Sequence, residues 1–410
     1  MITKIARALL LVFIVFVAAV YIPKFYWMKF EKSVKSSFVL YSPILKDFLF
    51  SVYSTDELRF SDRKGRLYDR DRYEALTPLF NYRQLLASGK MPDSLNGVKL
   101  NVEAVRMNNF SKKIRPADID LSLIPLNPLL ESKSGRVRLE MPEDFFRIDK
   151  RMEFINCATN TIDAEKSEKF TKALQAVNFA FPAKMIAGNP TTKKAFDEGY
   201  FVVDSQNKMF HIKMVKGEPF CVDTKIPANL DIVYLSIAEM QLREFYGMMV
   251  TRDNSVYLIS YNNYKLIRLP VSGYNYKEST IQMMGDLFYR IISVIDNKSN
   301  RTYVTDRRYN LIDSMETKWE DKYAQPAGKA LGYLVPFAVT LTQSTSSFVR
   351  PVVVCSPLSS FILTGILLII TFVIYFRQKA SFGSTWFDYL LILLTGVYGF
   401  IAVMLIKRIE

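Results

Sequence analysis

Three aspartates recur at matching places along the chain. Asp204, Asp253 and Asp296 each follow an apolar run and precede a second run that carries an aromatic residue. Brought together, three carboxylates could form a calcium site or serve general acid–base catalysis. Left apart, each has a simpler use, because an aspartate bonds its own backbone two residues on and fixes a tight turn. Recurrence at turn positions favours the second use. His211 is the single histidine, which excludes centres that need two imidazoles, including most catalytic zinc and non-haem iron sites. It stands beside Phe210 in an apolar run, a setting for packing. Cys157, Cys221 and Cys355 form no CxxC pair, which argues against a zinc ribbon or a thioredoxin-type centre. Cys157 and Cys221 could bridge in an oxidising compartment, leaving Cys355 over. Walker A, G-x-G-x-x-G, H-E-x-x-H and G-x-S-x-G patterns are missing, and Gly188-Asn-Pro190-Thr191-Thr192 reads as a polar turn. The sequence therefore assigns no catalytic, cofactor-binding or metal-ligating residue and implies no cofactor.

The elements that carry these residues repeat. Tyr200–Val203, the Asp204 turn and Phe210-His-Ile form one strand–turn–strand unit. Gly247–Val250, the Asp253 turn and Tyr257-Leu-Ile form the next, and Ile291–Ile295, the Asp296 turn and Tyr303-Val a third. Phe210, Tyr257 and Tyr303 lie 47 and 46 residues apart. A further short strand follows each hairpin, at Phe220, Leu266 and Leu311. A hairpin cannot bury a face alone, so units of this length suggest stacked sheets, of the β-propeller type first, with a β-sandwich or an irregular β-rich domain as the alternative. Phe60-Ser-Asp62 through Gly65-Arg-Leu-Tyr68 has the same appearance, while Gly97–Val105 and Gly135–Leu139 read as isolated strands. Asp163–Val177 has helical spacing. The many tyrosines, as in Tyr257–Tyr264 and Tyr274-Asn-Tyr276, suit cross-strand packing or contact with a partner or glycan.

Both ends of the chain are apolar. Ala8–Ile22 has no polar side chain before Tyr21 and leads into Phe25-Tyr26-Trp27, an aromatic belt of interfacial type. Val17-Ala18-Ala19 would serve as a cleavage triplet, but the continuing apolar run favours a retained anchor over residues 1–27. Residues 28–57 read as a helical neck, with Phe38, Leu40, Tyr41, Leu45, Phe48, Leu49 and Val52 on one face and Pro43 bending it. Leu358–Phe376 and Trp386–Ile406 are two runs of spanning length joined by a short basic linker, an antiparallel hairpin over 357–410 closed by Lys407-Arg408. Asp388, just inside the second run, is expected to reach the headgroups. The expected architecture is thus an N-terminal transmembrane helix, a mainly β, propeller-like middle domain over 58–356 with units clearest at 200–315, and a C-terminal transmembrane hairpin.

Fifty-four Lys and Arg stand against 40 Asp and Glu, half the chain is apolar and 23% is charged, a composition that excludes disorder. The two ends contribute +2 each to the net +14, leaving +10 on residues 23–356. Dispersed among acids, these charges suit anionic lipid rather than nucleic acid. The stretch Phe181-Pro-Ala-Lys-Met-Ile-Ala-Gly-Asn-Pro190 and its continuation Asp197-Glu-Gly-Tyr-Phe-Val-Val-Asp204 resembles, with the three-span layout, an uncharacterised family of bacterial membrane proteins of domain-of-unknown-function status. That resemblance implies an accessory part beside ABC-transporter components and supplies no site residues. The function expected is a membrane-anchored binding or accessory protein of the bacterial inner membrane, its partners the lipid bilayer and a membrane protein such as a transporter subunit. The alternative is an envelope enzyme acting on glycan or lipid through carboxylates the motifs do not identify. Counted charges would leave the middle domain cytoplasmic; the export-like start favours a periplasmic one, since long segments cross largely regardless of charge.

Overall fold

The computed structural model describes residues 2–30, 37–53, 57–121, 124–319, 321–343 and 345–406. The chain divides into two compact units, one of Met1–Ser37, Val52–Arg59 and Lys318–Glu410, the other of Phe38–Ser51 and Phe60–Thr317. In chain order the elements begin with helix α1 (Ile2–Phe30) and a four-stranded sheet of β1 (Ser37–Ser42), β2 (Asp47–Tyr53), β3 (Leu58–Asp62) and β4 (Leu67–Tyr68). Short pieces follow: α2 (Arg70–Leu76), α3 (Tyr82–Ala87), the hairpin β5 (Ser94–Leu95) and β6 (Val98–Lys99), α4 (Val102–Asn108), β7 (Phe110–Ile114) and α5 (Pro116–Ile119).

The larger unit is built from sheets stacked face to face. Strands β8 (Asp144–Ile148), β9 (Met152–Asn156) and β10 (Ile162–Asp163) form one, backed by α6 (Ala164–Ala176). Three four-stranded antiparallel meanders come next: β11 (Met185–Gly188) to β14 (Glu218–Asp223), β15 (Ile232–Ile237) to β18 (Leu266–Arg268), and β19 (Thr280–Gly285) to β22 (Leu311–Lys318). Within them lie β12 (Tyr200–Val203), β13 (Met209–Val215), β16 (Phe245–Thr251), β17 (Val256–Ser260), β20 (Arg290–Ile295) and β21 (Ser299–Thr305). Their first strands start 47 and 48 residues apart. Strand β7 pairs with β19, Ile114 opposite Ile281, and so covers that sheet's open edge.

Side-chain alternation sends successive residues of each inner strand into different cores. Tyr200, Val202, Phe210 and Ile212 pack with Phe146, Phe154 and Phe170 of the preceding sheet and α6. Phe201, Val203 and Met209 face the other way, onto Leu235, Ile237, Met249 and Ile259. Met248, Val250 and Leu258 then meet Ile281, Met283, Ile292 and Val294. Burial on both faces is why these strands read as continuous apolar runs rather than alternating ones. The first sheet also meets the last meander, where the Arg63 guanidinium donates to Asp313 at 2.5 Å and the Tyr41 and Tyr289 rings lie 5.0 Å apart. The middle of the chain is thus mainly β, and the repeat is real; among the described residues no closed propeller ring is found.

The expected helical neck is corrected. Phe38–Tyr41 and Phe48–Val52 lie in β1 and β2, and residues 31–36 of the expected neck lie outside the described residues. A short apolar run has no intrinsic period, and Pro43 sits in the turn between the two strands rather than in a helix. The Ser42 hydroxyl oxygen accepts from the amides of Ile44 and Leu45 there. Likewise Gly97–Val105 is a two-residue strand followed by α4, whose N-cap Asn101 accepts from the amide of Glu103 at 2.8 Å.

The smaller unit holds α1, α7 (Pro326–Leu334), the hairpin β23 (Phe337–Thr340) and β24 (Val352–Cys355), α8 (Ser360–Arg377), α9 (Phe382–Thr395) and α10 (Val397–Leu405). Leu11, Val15, Ala19, Pro23 and Trp27, spaced by four, form the buried stripe of α1. Helices α1 and α8 are each long and apolar enough to cross a membrane. The second arm of the expected hairpin is not one helix. Gly396, at φ +57° and ψ −126°, ends α9 and starts α10. A Cβ built at Gly399 would lie 2.8 Å from Leu391 O, although eight residues of continuous helix would separate the two by about 12 Å. The chain therefore turns sharply, and neither piece alone reaches the roughly 30 Å of a bilayer core. Lys407 and Arg408 lie outside the described residues.

Candidate functional site

The densest set of titratable groups lies where the first two meanders meet. The loop 189–199, between β11 and β12, folds inward and carries Lys194, Asp197 and Glu198 with it. The Lys194 ammonium donates to Asp197 and Glu239 at 2.6 and 2.7 Å, all three side chains almost fully buried. The remaining oxygens are used. Ser132 donates to Asp197 at 2.6 Å, Asn189 to Glu239 at 2.8 Å, and the amides of Gly199 and Glu198 to Asp197 and Glu239. Burial pushes the Glu239 carboxyl above its ordinary range, against the pull of Lys194. Alongside, Lys213 pairs with Glu198 at 2.7 Å. Lys112 donates to the Ile237 carbonyl at 2.7 Å, and burial lowers its pKa.

His211 is wholly buried in this cluster. One ring nitrogen, Nε2, lies 2.5 Å from the Glu198 carbonyl, which can only accept, so Nε2 carries the proton. Nδ1 then accepts from the Tyr264 hydroxyl at 3.0 Å. The ring stacks on Phe201 at 4.4 Å. Burial holds its pKa down to about 3, so the imidazole is neutral at physiological pH. Both nitrogens are committed, which makes His211 a bridge between Tyr264 and the 189–199 loop. Tyr246 stacks between Tyr261 at 3.8 Å and Tyr264 at 5.4 Å, and the Arg243 guanidinium lies 4.2 Å over Phe196. Tyr261 and Tyr264 thus stack from the turn after β17 onto Tyr246 of β16, all three half-buried, rather than as cross-strand pairs.

A second buried ion pair ties the second meander to the third. Arg290, fully buried on β20, donates to Glu244 through Nε at 3.1 Å and Nη2 at 2.5 Å, and through Nη1 to the carbonyls of Asp286 and Tyr289. Tyr309 also donates to Glu244. Beside it, Asp286 accepts from the amides of Phe288 and Tyr289 at 2.7 Å, and burial raises its pKa to about 6.

The three recurring aspartates lie in three separate turns. Asp204 accepts from the amides of Gln206 and Lys208, and Asp296 from those of Lys298 and Ser299, all between 2.7 and 2.8 Å. Asp253 accepts from the Thr251 and Ser255 hydroxyls at 2.5 and 2.9 Å and, more weakly, from the Ser255 amide at 3.3 Å. Backbone bonding shows that Thr251, not Asp253, occupies the place of Asp204. Each donates its amide to the carbonyl four residues on, and each carbonyl accepts from the amide three on. Asp62 and Asp306 close the same turn, with Gly65, Asn207, Asn254 and Tyr309 at the left-handed position. Among the described residues no three His, Cys, Asp or Glu side chains gather as metal ligands would. Cys157, Cys221 and Cys355 are free thiols.

In the smaller unit, Asp388 does not reach outward. It is wholly buried and accepts from Nη1 and Nη2 of Arg7, at 2.8 and 3.1 Å, and from the Tyr375 hydroxyl at 2.7 Å. The aromatic belt is also partly internal. Trp27 is buried edge-on against Tyr323, and Tyr26 donates to the Ala327 carbonyl at 2.8 Å, whereas Phe25 is exposed.

Sequence reasoning missed Lys194, Glu239, Glu244, Arg290 and the Arg7–Asp388 pair, because ion pairs between distant elements leave no spacing to read. One signal was available in Asp388 itself, since a carboxylate within an apolar run requires a partner.

No curated protein matches the chain. Among solved structures, it is similar to one described as the Dos1 propeller, at 10% identity over 46% of this chain and 46% of that one, with a TM-score of 0.24. The chain thus spans about half the length of that relative. It is also similar to the crystal structure of TolB from Acinetobacter baumannii, at 10% identity over 70% of this chain and 79% of that one, with a TM-score of 0.18. A family profile matches residues 38–305, the stacked sheets and the cluster just described, and the chain belongs to the family described as Domain of unknown function (DUF4857).

Proposed function

We propose that this protein is a membrane-anchored binding protein of the bacterial inner membrane, with its sheet domain as the interaction surface. One observation supports the anchoring above all: the polarity of the helical unit is inverted. Leu9, Val12, Phe13 and Phe16 on α1, Ile362, Ile366, Ile369 and Phe372 on α8, and Leu393 and Leu394 on α9 are exposed. Thr364, Thr371 and Asp388 are buried instead. Water would penalise such a surface at about 25 cal/mol per Å², whereas lipid tails would not. The net +10 of residues 23–356 suits a domain held beside anionic headgroups. The half-buried tyrosine stack, with Arg243 over Phe196, has the Tyr and Arg composition of contact surfaces. The partner proposed is a membrane protein of the ABC-transporter type, on the strength of the family resemblance, and the side proposed for the sheet domain is the periplasm.

Phase partition of the full chain in a cloud-point detergent tests the anchoring. Recovery in the detergent phase is expected, and a monodisperse chain in the aqueous phase overturns it. Cys157 is exposed and reports the side. With Cys221 and Cys355 replaced by Ala, a membrane-impermeant maleimide should label Cys157 in intact spheroplasts. Labelling only after lysis reverses the orientation.

A further inference from the structure

We infer that α1 is a permanent strut of the helical unit, fastened to α8 and α9 by an internal latch of Arg7, Asp388 and Tyr375, and that it is not removed as an export signal. The sequence offers a cleavage triplet at Val17-Ala18-Ala19, and cutting there would carry Arg7 away. The helix runs unbroken through that triplet, and Leu11, Val15 and Ala19 are buried within the helical core. Asp388 accepts three bonds, two from Arg7 and one from Tyr375. Loss of Arg7 would take two charge-assisted hydrogen bonds from a wholly buried carboxylate, a loss that apolar surroundings penalise strongly. The bidentate geometry also fixes axial register, because Arg7 can meet both carboxylate oxygens at one position of α1 along α9. The latch sits in the second turns of α1 and α9 and the last turn of α8, so these three ends lie together.

The inference concerns the same helices as the anchoring proposal but does not need the bilayer, and the tests separate the two. Intact mass of the purified full chain, carrying a C-terminal tag, should retain residues 2–19. A new N-terminus following Ala19 overturns the latch, whether or not the product still partitions into detergent. Retained residues 2–19 in a chain that stays in the aqueous phase would sink the anchoring proposal alone. Arg7→Gln and Asp388→Asn should each lower at least tenfold the fraction surviving heating in detergent, at the temperature where half of the unaltered chain survives. The double variant, with neither charge left, should recover at least half of that loss on a logarithmic scale. Single variants that match the unaltered chain, or a double variant no better than the sum of the singles, overturn the latch.

Discussion

The sheet domain and the helical unit solve the burial of charge in opposite ways. Between the meanders, Lys194 is shared by Asp197 and Glu239, and Arg290 holds Glu244 while its remaining donors reach two carbonyls. The sheets that carry these networks enclose apolar cores, and most charged residues outside the networks are exposed. In the helical unit the Arg7–Asp388 pair is enclosed by a bundle whose described outside is apolar. The first arrangement is that of a body surrounded by water, where a buried charge survives because many groups satisfy it. The second suits a medium that offers no hydrogen bonds, where polar groups turn inward and apolar ones outward. The difference teaches that neither pair need carry chemistry to be indispensable, since each fixes how its elements meet.

Breaking the network on the sheet side should have the largest effect. Arg290→Ala would leave the partly buried Glu244 without the arginine and the carbonyls of Asp286 and Tyr289 without their donor, at a cost of about 3 kcal/mol. Thermal unfolding followed by near-ultraviolet circular dichroism should show the sheet domain melting many degrees earlier, while the helical unit keeps its detergent partition. A melting temperature within 2 °C of the unaltered chain's, on the order of the shift that less than 1 kcal/mol gives, would mean that Glu244 is satisfied without Arg290.

Acidification sharpens the comparison, because two buried groups of the sheet domain respond with opposite sign. His211 titrates at about 3 when folded against an ordinary 6.5, so the unfolded chain takes the proton first and stability falls as the pH drops from 6.5 toward 3. Asp286 titrates at about 6 against 3.8, so the folded chain binds its proton first and stability falls as the pH rises through that window. Asp286→Asn keeps an oxygen for the amides of Phe288 and Tyr289. It should therefore stabilise the domain at pH 7 by up to about 3 kcal/mol, an advantage that vanishes below about pH 4. Urea midpoints at pH 4, 5.5 and 7 give the difference directly, and a difference independent of pH would refute the assignment to Asp286.

How much was legible follows from the reach of each signal. The repeat was readable because Phe210, Tyr257 and Tyr303 lie on the corresponding strands β13, β17 and β21 of the three meanders, and the turns between hairpin strands need the polar residues seen. The first strand of each meander, such as Ile232–Ile237, was passed over, since nothing local distinguishes an outer strand from a loop. Residues 38–52 misled because a half-dozen apolar residues fit a helical face and a strand equally well. Gly396 stood in plain view, but glycine within an apolar run is common, and only its φ marks the break. The turn aspartates were read correctly as turn formers. The buried networks were not, since Glu244 and Arg290 are 46 residues apart and Arg7 and Asp388 are 381 apart.

Gly396 offers the reverse dissection, with a smaller effect. A side chain at φ +57° and ψ −126° costs about 1–3 kcal/mol, and its Cβ would also lie 3.0 Å from Thr364 Oγ1 and 3.1 Å from Pro336. Gly396→Ala should lower the resistance of the helical unit to heating in detergent and leave the sheet domain's melting unchanged. A straight helix over 382–405 would instead be favoured by alanine by about 1 kcal/mol, so stabilisation would show that the break is not there.

The smallest effect belongs to an ion pair of the sheet domain that lies open to water. Arg136 and Glu140 approach to 2.6 Å with side chains 69% and 60% exposed. Solvent screening and the entropy of two long side chains leave such a pair roughly 0–0.5 kcal/mol. Arg136→Ala should therefore shift the melting temperature by less than about 2 °C, against the large loss for Arg290→Ala, although both remove one arginine from one carboxylate at similar distance. Equal losses would show that net charge rather than burial sets the stability of this basic domain. The two variants together isolate desolvation, because the chemistry of the pair is held constant while its surroundings change.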